Sequence, residues 1–335
     1  MTASLHQQLR QQLEASLVPL ITGHDRHICL LDPPGHSNVG DQAILLGELD
    51  FLRSNFPNAS LSFFDVDNYS PDCDRFIEKC SIILMHGGGN FGDLWPLHHQ
   101  LRLAILRRFP HKRIVQLPQS LCFSAPETLA ATAAAIKAHP DFHLIARDQA
   151  SAALARSNFA CPTILAPDMA FCLDPLERAP ALCDFFGLLR TDKEVAADHR
   201  MLLDILHGIS TSVEATDWIA EPRDRVKRLD RYLARRANAQ PRAAWLINNP
   251  MLRVRERYAR QRLAVGAAML SRGRVVVTDR LHAHILSCLL GIPNFVFNSL
   301  DGKVAAFHAT WTHLDPNTAR VDSIAHFRRQ LRRAA

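Results

Sequence analysis

The chain has 335 residues, too long for one ordinary hydrophobic core and enough for two. A hydrophobic fraction of 47% with 21% charged residues excludes a disordered chain. No stretch reaches the ~20 apolar residues of a spanning helix, which excludes an integral membrane protein. The net charge is +6 and the pI about 9.0, with much of the excess in 222–242 and 252–262. Solvated helix faces, a surface for anionic lipid or lipid-linked substrate, and nucleic acid binding are the competing readings. Nucleic acid ranks last, because the basic stretches lack interleaved aromatics and carry no nucleic-acid motif.

In chain order, Leu5, Leu9, Leu13 and Leu17 predict an amphipathic helix rather than an export signal. HICLL (27–31) is predicted as a strand and DQAILLGELDFLRSNF (41–56) as a helix. Between them, DPPGHSNVGDQ crowds Gly35, Asn38, Gly40, Asp41 and Gln42 together. Capping by Asn38 or Asp41 accounts for one such residue and leaves the cluster unexplained. SLSFFD (60–65) and SIILM (81–85) read as the next strands. The latter runs into HGGGNFGD, where Gly87, Gly88, Gly89, Asn90 and Asp93 are expected to form a strand-to-helix loop. Bare N–H groups in such a loop cradle an anion; a tight turn with close packing is the alternative. No Gly-Lys-Ser/Thr follows, so it is not a Walker A loop. A helix near 94–108, a strand at 113–117 followed by Pro118-Gln119-Ser120, and a helix at 126–140 come next. A strand at 142–146 ending in Arg147 and Asp148, a helix at 149–157 and a strand at 163–165 leading to Asp168 complete the first half. Continuous apolar strands alternating with helices predict a parallel sheet covered on both faces.

Residues 173–184, with Pro175 and Pro180, read as a linker. The pattern then restarts. A strand at 184–190 delivers Arg190, Asp192 and Lys193, and helices are predicted near 193–207, 221–237 and 251–271, the last ended by Gly273. AWLI (245–248) stays open between strand and helix. In VVVTDRLHAHIL, a β-branched strand (274–278) hands Asp279, Arg280 and His282 to the start of a helix (281–291). His282 and His284 lie about 200° apart on that helix, so they cannot share one site. A strand at 294–297 leads to Asn298, Ser299 and Lys303. The expected domains are 1–173 and 184–317, with a terminal helix over 318–335 whose crossing back to the first domain is left open. Eight cysteines are scattered without C-x-x-C spacing, so neither a zinc site nor a disulfide framework is expected. A reducing cytoplasm suits them.

At these residues the sequence resembles the polysaccharide pyruvyl transferase family. The matching pieces, in order, are NVGDQ (38–42), HGGGNFGDLW (86–95), ARD (146–148), PDMA (167–170), RTDKE (190–194), TDRLH (278–282) and GKV (302–304). Ala283 stands where the family often has glycine, and Leu300 and Asp301 replace an aromatic often found before the Gly-Lys pair. The resemblance implies an α/β fold of two Rossmann-like domains with parallel sheets, GT-B-like, and an active site in the interdomain cleft. It implies transfer of pyruvyl from phosphoenolpyruvate to a sugar of a lipid-linked exopolysaccharide unit, with formation of a cyclic ketal. Arg147 and Lys303 would then bind phosphoenolpyruvate, and His282 would be the catalytic acid. Arg280, on the same turn, is grouped with the phosphoenolpyruvate ligands. Asp279 and Asp168 are both candidates to orient His282 or take a hydroxyl proton, and Asp279 is taken as the catalytic partner. Asn38, Asp41, Gly87, Gly88, Gly89, Asn90 and Asp93 are assigned to the acceptor or an anion. No metal and no cofactor is expected, phosphoenolpyruvate being a co-substrate. The expected location is the cytoplasm, with the inner face of the plasma membrane open as a place of peripheral attachment. The alternatives are a nucleotide-sugar glycosyltransferase on the same fold and a non-enzymatic basic scaffold.

Overall fold

Runs such as IILM and VVV are too apolar for a half-exposed strand, and they become the buried interior of two parallel sheets. The computed structural model describes residues 4–21, 26–191, 199–218, 225–239, 244–299 and 302–334. The first half contains α1 (Leu5–Leu17), β1 (His27–Leu31), α2 (Val39–Asn55), β2 (Ser60–Phe64), α3 (Asp74–Ile77), β3 (Ile82–Met85), β4 (Gly88–Gly92) and α4 (Pro96–Arg108). It continues with β5 (Arg113–Cys122), α5 (Pro126–Lys137), β6 (Phe142–Ala146), α6 (Gln149–Asn158) and β7 (Thr163–Leu165). The second half holds β8 (Cys183–Leu188), α7 (His199–His207), β9 (Val213–Thr216), α8 (Arg225–Ala239), α9 (Ala244–Ser271) and β10 (Gly273–Thr278). It ends with α10 (Leu281–Leu289), β11 (Asn294–Phe297), α11 (Lys303–Phe307), β12 (Thr318–Val321) and α12 (Ile324–Ala334).

The first sheet runs β2-β1-β3-β5-β6-β7, with β4 added beside β5, and the second runs β12-β11-β10-β8-β9. With β4 set aside and strands counted from the start of each half, the first follows the doubly wound order 2-1-3-4-5-6 and the second 2-1-3-4-5. The strand order therefore reverses between β1 and β3 in one sheet and between β8 and β10 in the other. Ligands of such sheets bind beyond the carboxyl ends of those strands, where the diverging connections leave a crevice. The two Rossmann-like halves share one continuous apolar core, which includes Leu30 and Leu84 from the first sheet and Leu188 and Val276 from the second. Helix α2 carries the junction. A methyl at Gly47 would lie 1.9 Å from the Met169 carbonyl oxygen, and one at Gly266 of α9 would lie 2.4 Å from Val39. Only glycine permits that approach.

Several elements differ from the sequence reading. The glycine segment is not a loop: Gly88–Gly92 forms β4, paired with the far end of β5. Gly88 (φ +121°) and Gly92 (φ +132°) hold conformations that favour glycine. β5 runs through Pro118 to Cys122, with an irregularity in its pairing to β6 between Gln116 and Gln119, where proline is tolerated. Residues 245–248 are helical, inside α9. Residues 318–321, expected to be helical, form edge strand β12 instead. α12 packs Phe327 and Leu331 against Leu202, Phe297 and Val321 of its own half, with no crossing back seen among the described residues. Asp192, Lys193, Leu300 and Asp301 lie outside the described residues.

Candidate active site

The two strand-order reversals face each other across a cavity of about 460 Å³. From the first half, Asp32, His36, Asn38 and Asp41 reach it after β1, and His86, Gly87, Gly89 and Asn90 after β3. From the second half come Arg190 after β8, Arg280 and His282 after β10, and Lys303 at the start of α11. Arg147, from the end of β6, joins them. The expected phosphoenolpyruvate ligands and His282 thus share one cavity, as do all the expected acceptor-side residues except Gly88 and Asp93.

The glycines explain how. A methyl at Gly40, in the first turn of α2, would lie 2.3 Å from His282 Nδ1, so the imidazole occupies the place of that missing side chain. A methyl at Gly89 would lie 3.1 Å from Arg147 Nη2 and 3.2 Å from Lys303 Nζ. Lys303 Nζ also donates to the Gly89 carbonyl at 3.2 Å. Two cations from opposite halves therefore converge where residue 89 has no side chain. The anion-cradle reading of this segment needs correction at Gly87, because its N–H already donates to Glu48 Oε1 at 2.9 Å.

Arg147, 2% exposed, donates from Nε to Ser120 Oγ (2.8 Å) and from Nη1 to Asp168 Oδ2 (2.7 Å). Its carbonyl accepts from Trp311 Nε1 of the second half at 2.7 Å. Asp168 Oδ2 also lies 3.5 Å from His282 Nε2. Burial raises the Asp168 pKa, but the neighbouring His282 ring, the Arg147 charge and the Ala170 N–H outweigh it and hold the carboxyl well below the usual carboxylate range. Asp168 thus stays anionic between a guanidinium and the imidazole. Asp41 behaves alike: burial opposes its ionisation, and His36, His282, His86 and Arg147 together keep its pKa low.

Asp279 does not partner His282. It is fully buried, and both its oxygens are taken: Oδ1 accepts the Arg190 N–H at 2.9 Å and Oδ2 accepts from His199 Nε2 at 2.8 Å. Asp168 holds the place expected of Asp279. Asp93 also leaves the site: it accepts the N–H groups of Ser124 (2.8 Å) and Ala125 (2.6 Å) just before α5. Asn38 lines the cavity yet spends its Oδ1 capping α2 through Gly40 N–H at 3.0 Å. Arg280 reaches the cavity with its guanidinium forked onto Asp217 at 2.6 and 2.7 Å. His284 turns into the core, bonded to Asn294 and Thr312 at 2.7 Å each, and burial pushes its pKa down to about 4.

Sequence reasoning missed other residues of this wall. Asp32, at a left-handed φ of 65°, accepts from His98 Nδ1 at 2.8 Å. Asn90 is fixed by buried Arg102, whose Nη2 donates to Oδ1 at 2.8 Å. Glu48 could have been noticed, since an acidic residue on the apolar face of α2 is unusual. The basic segment 252–262 is not wholly a solvated face. Arg255 is buried against Asp65, Asp230 and the Pro33 carbonyl. Arg262 donates to the carbonyls of Ser37 (2.8 Å) and Trp218 (2.9 Å). Both arginines hold the cavity wall.

A family model described as polysaccharide pyruvyl transferase matches residues 38–301. The chain is 30% identical to pyruvyl transferase 1 of Schizosaccharomyces pombe, over 89% of this chain and 74% of that relative. It is 31% identical to the EpsO protein of Bacillus subtilis, over 88% of each. A crystal structure of a functionally uncharacterized Klebsiella pneumoniae protein superposes with a TM-score of 0.58 at 19% identity, over 96% of this chain and 100% of that one, and so has the same fold.

Proposed function

The chain belongs to the polysaccharide pyruvyl transferase family and is a pyruvyl transferase, and on that footing we propose that its donor is phosphoenolpyruvate and its product a cyclic ketal on a polysaccharide sugar. The observation that carries this reading is the convergence of Arg147 and Lys303 at Gly89, in the same cavity as His282. Phosphoenolpyruvate carries a carboxylate and, on the adjacent central carbon, a phosphate. Arg147 is fixed by Ser120 and Asp168, and a fixed guanidinium suits a planar carboxylate; Lys303 suits phosphate as a point charge. His282 donates a proton to the methylene carbon, which makes the neighbouring carbon electrophilic. A sugar hydroxyl attacks there, and a second hydroxyl displaces phosphate and closes the ring. Asp168, 3.5 Å from the ring, sets the orientation of His282.

The exposed face of α8 supports a membrane-borne acceptor. Arg225, Arg228, Arg231, Arg235 and Arg236 are exposed there, with Leu229 (47% exposed) and Tyr232 (53%) among them. A basic face bearing solvent-exposed apolar side chains suits an anionic lipid surface. Among the described residues no helix is long and apolar enough to cross a membrane, so attachment would be peripheral, at the cytoplasmic face.

The test is an incubation of the protein with phosphoenolpyruvate and a panel of simple methyl glycosides. Phosphate release together with a product of the mass of a pyruvylated glycoside is expected. Consumption of nucleotide sugars with phosphoenolpyruvate untouched would instead mark a glycosyltransferase.

A further inference from the structure

His86 is a buried titratable group on the cavity wall that the reading above leaves without a task. It follows β3 directly and is 3% exposed. Its Nδ1 donates to Glu48 Oε2 at 2.8 Å. Glu48 has no exposed surface and is itself fixed by the Gly87 N–H at 2.9 Å. With Nδ1 committed, Nε2 remains, and it is buried without a hydrogen-bond partner among the described residues. His284, inside the core, bonds at both nitrogens. His86 instead spends one nitrogen on a buried carboxylate and keeps the other unpaired, on a ring that lines the cavity. That is how a proton acceptor is held ready: the carboxylate fixes the tautomer and ring plane and stabilises the protonated ring once formed.

We infer that His86 is the base that removes the proton of the attacking acceptor hydroxyl, with Glu48 as its positioning residue. This rests on the pyruvyl transfer reading. In the first step the hydroxyl O–H bond breaks, its proton goes to His86 Nε2, and the oxygen electron pair forms the bond to the central carbon of phosphoenolpyruvate. The carbon–carbon double bond takes up the proton of His282. His282 is then neutral and His86 protonated. In the second step the other hydroxyl gives its proton to His282, its oxygen bonds to the same carbon, and the carbon–oxygen bond to phosphate breaks. The departing phosphate takes the proton of His86. Both histidines regain their starting states, and the two hydroxyl protons end on the new methyl group and on phosphate. The groups around His86 are Glu48 and Asp41 of α2, Asp32 beyond β1, and the His36 imidazole; burial lowers its proton affinity, and Glu48, Asp41 and Asp32 more than restore it.

The experiment uses the whole protein with phosphoenolpyruvate and the methyl glycoside panel. His86→Ala is expected to lower kcat by ~10²–10⁴-fold while KM for phosphoenolpyruvate stays within about threefold. Added imidazole is expected to restore at least part of that rate, which a packing role would not allow. Glu48→Gln removes the charge that favours protonated His86, so the acidic limb of the kcat profile should move to lower pH. If His86→Ala does not fold, His86→Gln keeps a donor toward Glu48 and must show the same loss. A His86 variant with near-normal kcat overturns the inference, as does a loss that imidazole leaves untouched in a folded variant. A wild-type protein that releases no phosphate overturns the functional reading and the inference together.

Discussion

The first sheet and the second wind in the same order over five strands, and each opens a crevice at the carboxyl ends of its first and third strands. What they bring to the shared cavity differs. The first half supplies room and negative charge: Gly40, Gly87 and Gly89, with Asp32, Asp41, Glu48 and Asp168. The second half supplies side chains that enter that room: His282 over Gly40 and Lys303 over Gly89, with Arg190 and Arg280 behind them. Arg147 is the exception, a cation from the first half whose own carbonyl is gripped by Trp311 of the second. Topology sets where a site falls, and the side chains and gaps at those places set its chemistry. Because each projecting group fits a gap in the opposite half, neither half alone holds the site.

The sharpest way to break this comparison is to remove the projecting acid. His282→Ala should cost ~10²–10⁴-fold in kcat. Its melting temperature should change little, since the ring borders open cavity rather than packed core. A rate near that of wild type would leave His282 as a wall residue.

Filling a gap instead of removing its occupant comes next. Gly40→Ala places a methyl where the His282 ring lies, and should lower kcat by about 10²-fold, as displacement of a catalytic group by about 1 Å does. Gly89→Ala crowds Arg147 and Lys303 and should act mainly on KM for phosphoenolpyruvate. Gly92→Ala is the control: its methyl would lie 1.7 Å from the Cys122 carbonyl oxygen at φ +132°, so folding rather than kinetics should fail. Equal effects at all three would mean that the glycines serve packing alone.

The histidines away from the site behave differently with pH. Burial pushes His284 and His99 down to about 4 each, so both fold neutral. Their contribution is fully present above pH 6.5 and is lost as the pH falls from there toward 4. The loss should be on the order of 3 kcal/mol for each at the bottom of that window. Thermal melts from pH 7 to pH 4 test it, and His284→Asn should flatten the slope.

The smallest effect concerns α8. Replacing Arg228, Arg231 and Arg235 with glutamate should weaken binding to vesicles containing anionic lipid, more at low salt than at high salt, and leave turnover of a soluble glycoside intact. Unchanged vesicle partitioning would make this face an ordinary solvated one.

Much of the fold was legible in the chain because local pattern determines it. The strand runs, the helix repeats and the break at 173–184 gave two α/β halves, and polar residues at strand ends gave Arg147, Arg280 and His282 by position. Resemblance of the short ordered motifs added the chemistry. β4 was not legible, since GGNFG has no strand pattern and pairs only because β5 extends beside it. Asp279 and Asp168 follow strands in the same way, and only the folded backbone directs one to His199 and the other to His282. Arg255 and Arg262 sit in a basic run whose reading the sequence left open, and only packing buries them under the cavity loop. The sequence by itself determined the periodicities, and hence the elements and the doubly wound class. Tertiary structure alone decided which glycine receives which side chain and which carboxylate meets which histidine, because those contacts join residues far apart in the chain that share no local pattern.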